Sequence, residues 1–132
     1  MSGLPDRVMT EDELHALFIE SAKESVEELK ATARSLSEAP ADAAERLMLM
    51  AETVHVLKGQ GSSFGFPLIT NVGRSFMMLL KGRQSVDEAV MPLIQIHVDA
   101  LALVVEQPIQ GDGGELGSEL VSRLESKVAA LG

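Results

Sequence analysis

The chain has 132 residues, a formal net charge of −9 and an apolar fraction of 45%. This length suits a single domain with a hydrophobic core of its own. The negative charge argues against binding to nucleic acids or anionic membranes, because such binding needs a basic face. Cysteine is absent, which excludes disulfides and cysteine-ligated zinc. The first ten residues hold no apolar run typical of a signal sequence, so we expect a cytoplasmic protein.

Apolar residues recur at helical spacing in five successive segments, and helix-favouring residue types dominate the composition. The predicted helices span residues 10–36, 41–63, 67–80, 85–106 and 114–131. Because the connections are short, we expect an all-α fold, an antiparallel up-and-down four-helix bundle with an additional C-terminal helix. The chain is expected to be one domain, residues 1–132, with the bundle over about 10–107 and the last helix over about 114–131.

Local signals mark where these helices begin. Thr10 followed by Glu13 predicts a capping box at the start of the first helix, and Ser85 followed by Glu88 predicts another at the start of the fourth. Pro92 then falls inside the fourth helix, where we expect a kink. The stripe of the first helix that should face the core is predicted to contain Leu14, Leu17, Phe18, Ser21, Ala22, Ser25, Leu29, Ala33 and Leu36.

The second predicted helix carries a histidine on its outer face. On a helical wheel, Met48, Ala51, Gly59 and Ser62 lie within about 40° of His55, and the apolar centre of the helix lies about 120° or more away. Lys58 is one turn further along, within reach of the histidine side chain. A lone outward histidine beside a lysine is more often ordinary solvated surface, so these positions alone do not establish a function.

Two glycines, Gly59 and Gly61, lie near the end of this helix. Each lowers helix stability by roughly 1 kcal/mol relative to alanine, so folding alone does not explain them. Gly59, next to His55, suggests room for a closely approaching partner. Gly61 faces inward and suggests close packing against a neighbouring helix.

Residues 55–65 resemble the signature of histidine phosphotransfer (HPt) domains. That signature is a histidine followed by Leu-Lys-Gly, here residues 57–59, with an apolar residue and a glycine nine and ten positions after the histidine, here Phe64 and Gly65. The resemblance also covers the layout over roughly residues 10–107, with the histidine midway along the second helix. It implies a helical bundle that carries a phosphoryl group and has no ATP-dependent kinase activity of its own.

The resemblance also implies a role for each residue near the histidine. His55 would exchange a phosphoryl group with aspartates of receiver domains, those of response regulators and of a hybrid histidine kinase. Lys58 would stabilise the negative charge of the transferring group, and Gly59 would admit the partner. The partner-binding residues would be Met48, Ala51, Glu52 and Ser62. No intrinsic cofactor is expected, because Mg²⁺ would be bound by the receiver domain.

Other functions have weaker support in the sequence. Residues 59–65 are rich in glycine but lack the Gly-Lys-Ser/Thr ending of a phosphate-binding loop and follow a helix. His15, His55 and His97 are not spaced as metal ligands on one helix. We expect His15 to be an exposed surface residue and His97, in an apolar helix, to be a packing residue. The alternative that stays open is a non-catalytic helical adaptor or dimerisation module, with His55 incidental. A homodimer would then pair through the stripe of the C-terminal helix, formed by Leu116, Leu120, Leu124, Val128 and Leu131.

Overall fold

Five α-helices make up most of the chain in a computed structural model that describes residues 9–109 and 111–131. They are α1 (Glu11–Glu38), α2 (Ala43–Gly61), α3 (Pro67–Leu80), α4 (Val90–Glu106) and α5 (Gly114–Ala129), with a turn of 3-10 helix, Ser62–Phe64, after α2. The described residues contain no strand. The prediction of an all-α fold is confirmed. None of the described helices is both long enough and apolar enough to cross a bilayer.

The first four helices form a closed ring around the core. α1 packs against α2 and α4, and α3 also packs against α2 and α4, so each helix has two neighbours. The fifth helix packs on α3 and α4. The largest fully buried side chains come from all four bundle helices and from the turn before α3: Leu29, Leu36, Leu47, Met50, Leu57, Phe66, Leu68, Ile69, Phe76, Leu79, Ile94 and Leu101. The predicted four-helix bundle with an additional C-terminal helix is therefore confirmed.

The start of α1 agrees with its capping signal. The Thr10 hydroxyl accepts from the Glu13 backbone N–H at 3.1 Å, and the Glu13 carboxylate accepts from the Thr10 N–H at 2.8 Å. The predicted burial of Leu14, Leu17 and Ser21 is wrong, because the two leucines are 38% and 55% exposed and the serine is exposed as well. They lie at the edge of the stripe, whose buried centre begins at Phe18.

The connection between α1 and α2 is held by Arg46. Its guanidinium donates to the Ser35 carbonyl and hydroxyl at 2.9 and 2.8 Å, and to the Ala39 and Ala41 carbonyls at 2.6 Å each. The Ala39 and Ala41 carbonyls lie beyond the last residue of α1, so the guanidinium links the connection to the last turn of that helix. The predicted start of α2 at residue 41 is two residues early, because Asp42 takes a left-handed conformation with φ of 58°.

The start of α4 differs from its prediction. The Asp87 carboxylate, not Ser85, accepts from the backbone N–H groups of Ala89 and Val90 at 2.9 Å each. The Ser85–Glu88 capping box is therefore wrong, and the helix begins five residues later than predicted. Pro92 then lies in the first turn, where backbone N–H groups have no intrahelical acceptor. A proline there removes no hydrogen bond, so the physical reason for the expected kink disappears.

The fifth helix belongs to the bundle through its central residues. Leu124 is 1% exposed, and Leu120, Val128 and Leu131 pack against the core. Leu116, the first residue of the predicted stripe, is 81% exposed in the first turn of the helix. The preceding segment is also attached, since the Gly111 N–H donates to the Gly65 carbonyl at 3.0 Å.

Candidate functional site

His55 lies in the middle of α2 and is exposed. The residues that face the opposite way, Val54 and Leu57, are 0% and 1% exposed. The rotation of the helix is therefore fixed by its apolar side, and the imidazole points away from the bundle as the helical wheel predicts. A partner molecule can reach the ring without any rearrangement of the core.

The predicted partner-binding residues share this side of the bundle. Met48 is 60% exposed, Ala51 is half-buried, and Glu52 and Ser62 are exposed. A β-carbon added at Gly59 would meet no atom within 4 Å. Five predicted site residues thus surround His55 on an open face of α2, with Gly59 leaving free space beside the ring.

Lys58 lies at the edge of this face, half-buried where α2 meets α3. A β-carbon added at Gly73 would lie 3.0 Å from the Lys58 Cβ and 3.4 Å from its Cα. The lysine stem therefore rests on the bare backbone of α3. Within residues 9–109 and 111–131, no carboxylate forms a salt bridge with Lys58. Within that part of the chain its positive charge is therefore not neutralised by an ion pair, and it lies one helical turn from His55 on α2.

Thr70 of α3 holds the end of α2. Its hydroxyl donates to the Lys58 carbonyl at 2.8 Å and accepts from the Ser62 N–H at 2.9 Å and the Ser62 hydroxyl at 3.1 Å. The hydroxyl thus bridges two backbone groups that an α-helix would pair directly. Neither Thr70 nor Gly73 was identified from the sequence. The available signal was a glycine in the interior of a helix, which calls for a packing reason.

The last two positions of the signature shape the turn after α2. Phe64 stacks on Phe18 of α1 with ring centroids 5.1 Å apart, and Gly65 has φ of 88°, a left-handed conformation that suits glycine. The Phe66 N–H donates to the Gly61 carbonyl at 2.7 Å. Together these contacts end α2 and start α3 at a fixed angle, which sets the position of the histidine face.

A groove of about 310 Å³ continues this face toward the start of α2. Leu47, Ala51 and Leu80 are among its apolar residues, and Lys81 and Arg83 contribute basic side chains. The groove contains two of the predicted partner-binding residues, Met48 and Ala51. It therefore joins the surface around His55 to a basic edge at the end of α3.

The two other histidines have structural surroundings. His97 is fully buried, with Nε2 2.8 Å from the Ser75 hydroxyl and Nδ1 2.7 Å from the Leu93 carbonyl. This confirms its prediction as a packing residue. His15 is half-buried against Phe66, with ring centroids 5.5 Å apart, and is not the simple surface residue expected. Among the described residues, no three histidines or acids lie close enough together to hold a metal ion.

The comparison with known families agrees with the fold. The sequence model of the Hpt domain matches residues 13–104, which include most of α1, all of α2 and α3, most of α4 and the whole signature. No curated protein and no solved structure matches the chain. Hpt domains transfer phosphoryl groups on a histidine in phosphorelays and are phosphocarriers, not kinases. The chain belongs to the Hpt domain family.

Proposed function

We propose that this protein exchanges a phosphoryl group between His55 and aspartates of receiver domains. The observation that carries the proposal is the exposure of His55 on the family signature, with free space at Gly59 on one side. On the other side lies Lys58, which forms no salt bridge with any described residue. The partners are receiver domains of response regulators and of a hybrid histidine kinase. Residues 1–132 would act as one domain, with α5 completing the bundle.

The reaction needs few protein groups. The lone pair of the unprotonated imidazole nitrogen attacks phosphorus, and a nitrogen–phosphorus bond forms while the bond from phosphorus to the aspartate oxygen breaks. The aspartate leaves as a carboxylate, and the reverse transfer uses the same atoms. The transition state is loose, with charge on the equatorial oxygens, so positioning and positive charge contribute most. Lys58 supplies such a charge from this chain, and Mg²⁺ would be contributed by the receiver domain.

The receiver would dock over the open face of α2 and the adjoining groove. Met48, which is 60% exposed, would contact the partner, and methionine adapts to different surfaces because its side chain is flexible. Ala51, Glu52 and Ser62 would border the contact. The basic side chains of Lys81 and Arg83 at the groove would attract the acidic surface that surrounds a receiver's aspartate.

The alternative of a dimer through α5 depended on an exposed apolar stripe, and most of that stripe faces the bundle. Leu124 is buried within this molecule, and three other residues of the predicted stripe pack against the core. Only Leu116 extends into solvent from that stripe. An adaptor would need a broad apolar face on this helix, so the carrier function fits the structure better.

The decisive experiment is transfer from a receiver domain carrying radiolabelled aspartyl phosphate. We expect this protein to acquire a phosphate that is labile in acid and stable in base, as a phosphohistidine is. His55→Gln should abolish the labelling and leave the helical circular dichroism unchanged. His15→Gln is the matched control and should be labelled like the parent. Labelling that persists in His55→Gln, or that is absent from the parent with every receiver tested, would contradict the proposal.

A further inference from the structure

Lys58 is attached to α3 at two points. Thr70 binds its backbone carbonyl at 2.8 Å, and Gly73, one turn further along α3, lies beneath its side-chain stem. We call Thr70 and Gly73 the lysine seat. The seat connects α3 to the one cationic side chain that lies a single helical turn from His55 on α2.

The hydrogen bonds at Thr70 leave it no freedom to rotate. A hydroxyl has one proton to donate and two lone pairs to accept with, and all three are used, by Lys58 and by the N–H and hydroxyl of Ser62. Gly61 packs against the same group, since a β-carbon there would lie 2.7 Å from the Thr70 hydroxyl. The threonine is therefore locked in one rotamer and fixes the last turn of α2.

The close approach at Gly73 decides where the lysine stem runs. Because α3 has no β-carbon at this position, the Lys58 stem lies directly against its backbone. Any side chain at position 73 would push the stem outward, and a lysine has four rotatable bonds through which such a shift reaches the ammonium. A charge that stabilises a transition state acts only from the correct position.

We propose that Thr70 and Gly73 are positioning residues for phosphoryl transfer, which direct the ammonium of Lys58 toward the phosphoryl group on His55. This role rests on the proposed function. Neither residue touches the phosphoryl group, so each acts through Lys58. Removing the Thr70 hydroxyl or filling the space at Gly73 displaces the charge without removing it.

The test is a double-mutant cycle with Lys58. Transfer from a phosphorylated receiver domain is measured at saturating and at limiting receiver concentration for Thr70→Val, Gly73→Ala and Lys58→Ala, alone and combined. We expect Thr70→Val and Gly73→Ala each to slow the saturated rate by about three- to tenfold, since a displaced charge stabilises the transition state less, with an unchanged half-saturating concentration. In the Lys58→Ala background neither change should slow transfer further. Thr70→Ser, which retains the hydroxyl, should restore the parent rate.

Thr53→Val is the matched control. The Thr53 hydroxyl also donates to a backbone carbonyl of α2, that of Leu49 at 3.2 Å, but it lies about 160° from His55 on the helix. The Thr53→Val protein should transfer at the parent rate. If Thr70→Val is too unstable to assay, Gly73→Ala alone tests the positioning role, because it leaves the hydrogen bonds of Thr70 intact.

Three results would overturn the role of the seat. If the parent is labelled and the seat variants transfer at the parent rate, the positioning role of Thr70 and Gly73 is wrong and the proposed function stands. If Thr70→Val or Gly73→Ala slows transfer in the Lys58→Ala background as much as in the parent, the substitution acts on the whole helix and not through Lys58. A parent that takes no phosphate from any receiver contradicts the proposed function, and the role of the seat with it.

Discussion

Gly59 and Gly61 are two residues apart on α2 but have opposite surroundings. A β-carbon at Gly61 would lie 2.9 Å from the Phe66 carbonyl oxygen and 2.9 Å from the Thr70 backbone nitrogen, whereas one at Gly59 would meet nothing within 4 Å. One glycine therefore permits the contact between α2 and α3, and the other leaves space beside His55. The same residue type serves the fold at one position and the candidate site at the other.

Gly61→Ala should destabilise the protein. Besides the Thr70 hydroxyl, the obstructing atoms belong to the backbone of Phe66 and Thr70, so a side-chain rotation alone cannot accommodate the new methyl group. Overpacking of this kind costs about 1–3 kcal/mol, more than alanine gains in helix propensity. Urea denaturation should show a lower free energy of unfolding. Gly59→Ala is the matched control and should be as stable as the parent or more stable, and equal losses in the two variants would contradict this reading.

Lys58→Ala should slow phosphoryl transfer and leave the fold intact. Loss of one positive charge near the transferring group is expected to reduce the rate by roughly 10- to 100-fold. The measurement is the single-turnover rate from a phosphorylated receiver domain. Lys127→Ala provides the control, because Lys127 is exposed on α5, which does not contact α2 in the described structure. Equal rates for both variants would show that Lys58 is ordinary surface.

His97 should make the stability depend on pH. Burial lowers its pKa, and the hydrogen bond to the Leu93 carbonyl opposes this only in part. The unfolded chain therefore binds a proton at His97 more readily than the folded protein does. The stability that comes from keeping His97 neutral is fully present above the ordinary histidine pKa of about 6.5 and is lost as the pH falls below it. The free energy of unfolding should decrease by up to about 1.4 kcal/mol per pH unit in that range.

The comparison for His97 is denaturation at pH 7.5 and pH 5.5. His97→Asn keeps a polar side chain near Ser75 but removes the titration, so its stability should change less between the two conditions. A parent whose stability is the same at both values would contradict the effect of burial on His97.

Arg46→Lys should not replace the arginine. The guanidinium reaches four acceptors around the α1–α2 connection, whereas an ammonium has a different shape and only three donors. Both Arg46→Lys and Arg46→Leu should lower the free energy of unfolding, by about 1–3 kcal/mol for the leucine variant. Arg34→Leu, at an exposed position on α1, controls for the loss of charge. A fully stable lysine variant would show that charge alone suffices.

Much of the fold could be predicted because its signals are local. Pro67 and Gly82 mark the two ends of α3, and its bounds, Pro67–Leu80, match the prediction. The apolar spacing of α2 determined which side of the helix faces solvent, and with it the exposure of His55. These features depend on residues within a few turns of one another, which periodicity can report.

The parts that were missed depend on how the helices meet. Asp87 and Ser85 are both suitable caps, and only the three-dimensional path of the chain selects Asp87. Thr70 is twelve residues from Lys58 in sequence, so their hydrogen bond becomes visible only once α2 and α3 are placed side by side. The burial of Leu14 could not be judged from one helix, because it depends on whether a neighbouring helix covers that edge.

Gly59→Gln tests whether the space beside His55 serves the approach of a partner. Glutamine has a good helix propensity and should retain most of the gain over glycine, up to roughly 1 kcal/mol. Since no atom lies within 4 Å of a β-carbon at this position, the side chain can extend into solvent without disturbing the bundle. It would then stand about 40° from His55 on the same face, between the imidazole and an incoming receiver domain. We expect a protein that melts no lower than the parent but transfers phosphate distinctly more slowly.

Gln60→Ala, on the same turn, is the control for a simple surface change. Transfer at the parent rate by Gly59→Gln would show that the glycine is not there for access, and a lower melting temperature would show that position 59 is packed in solution.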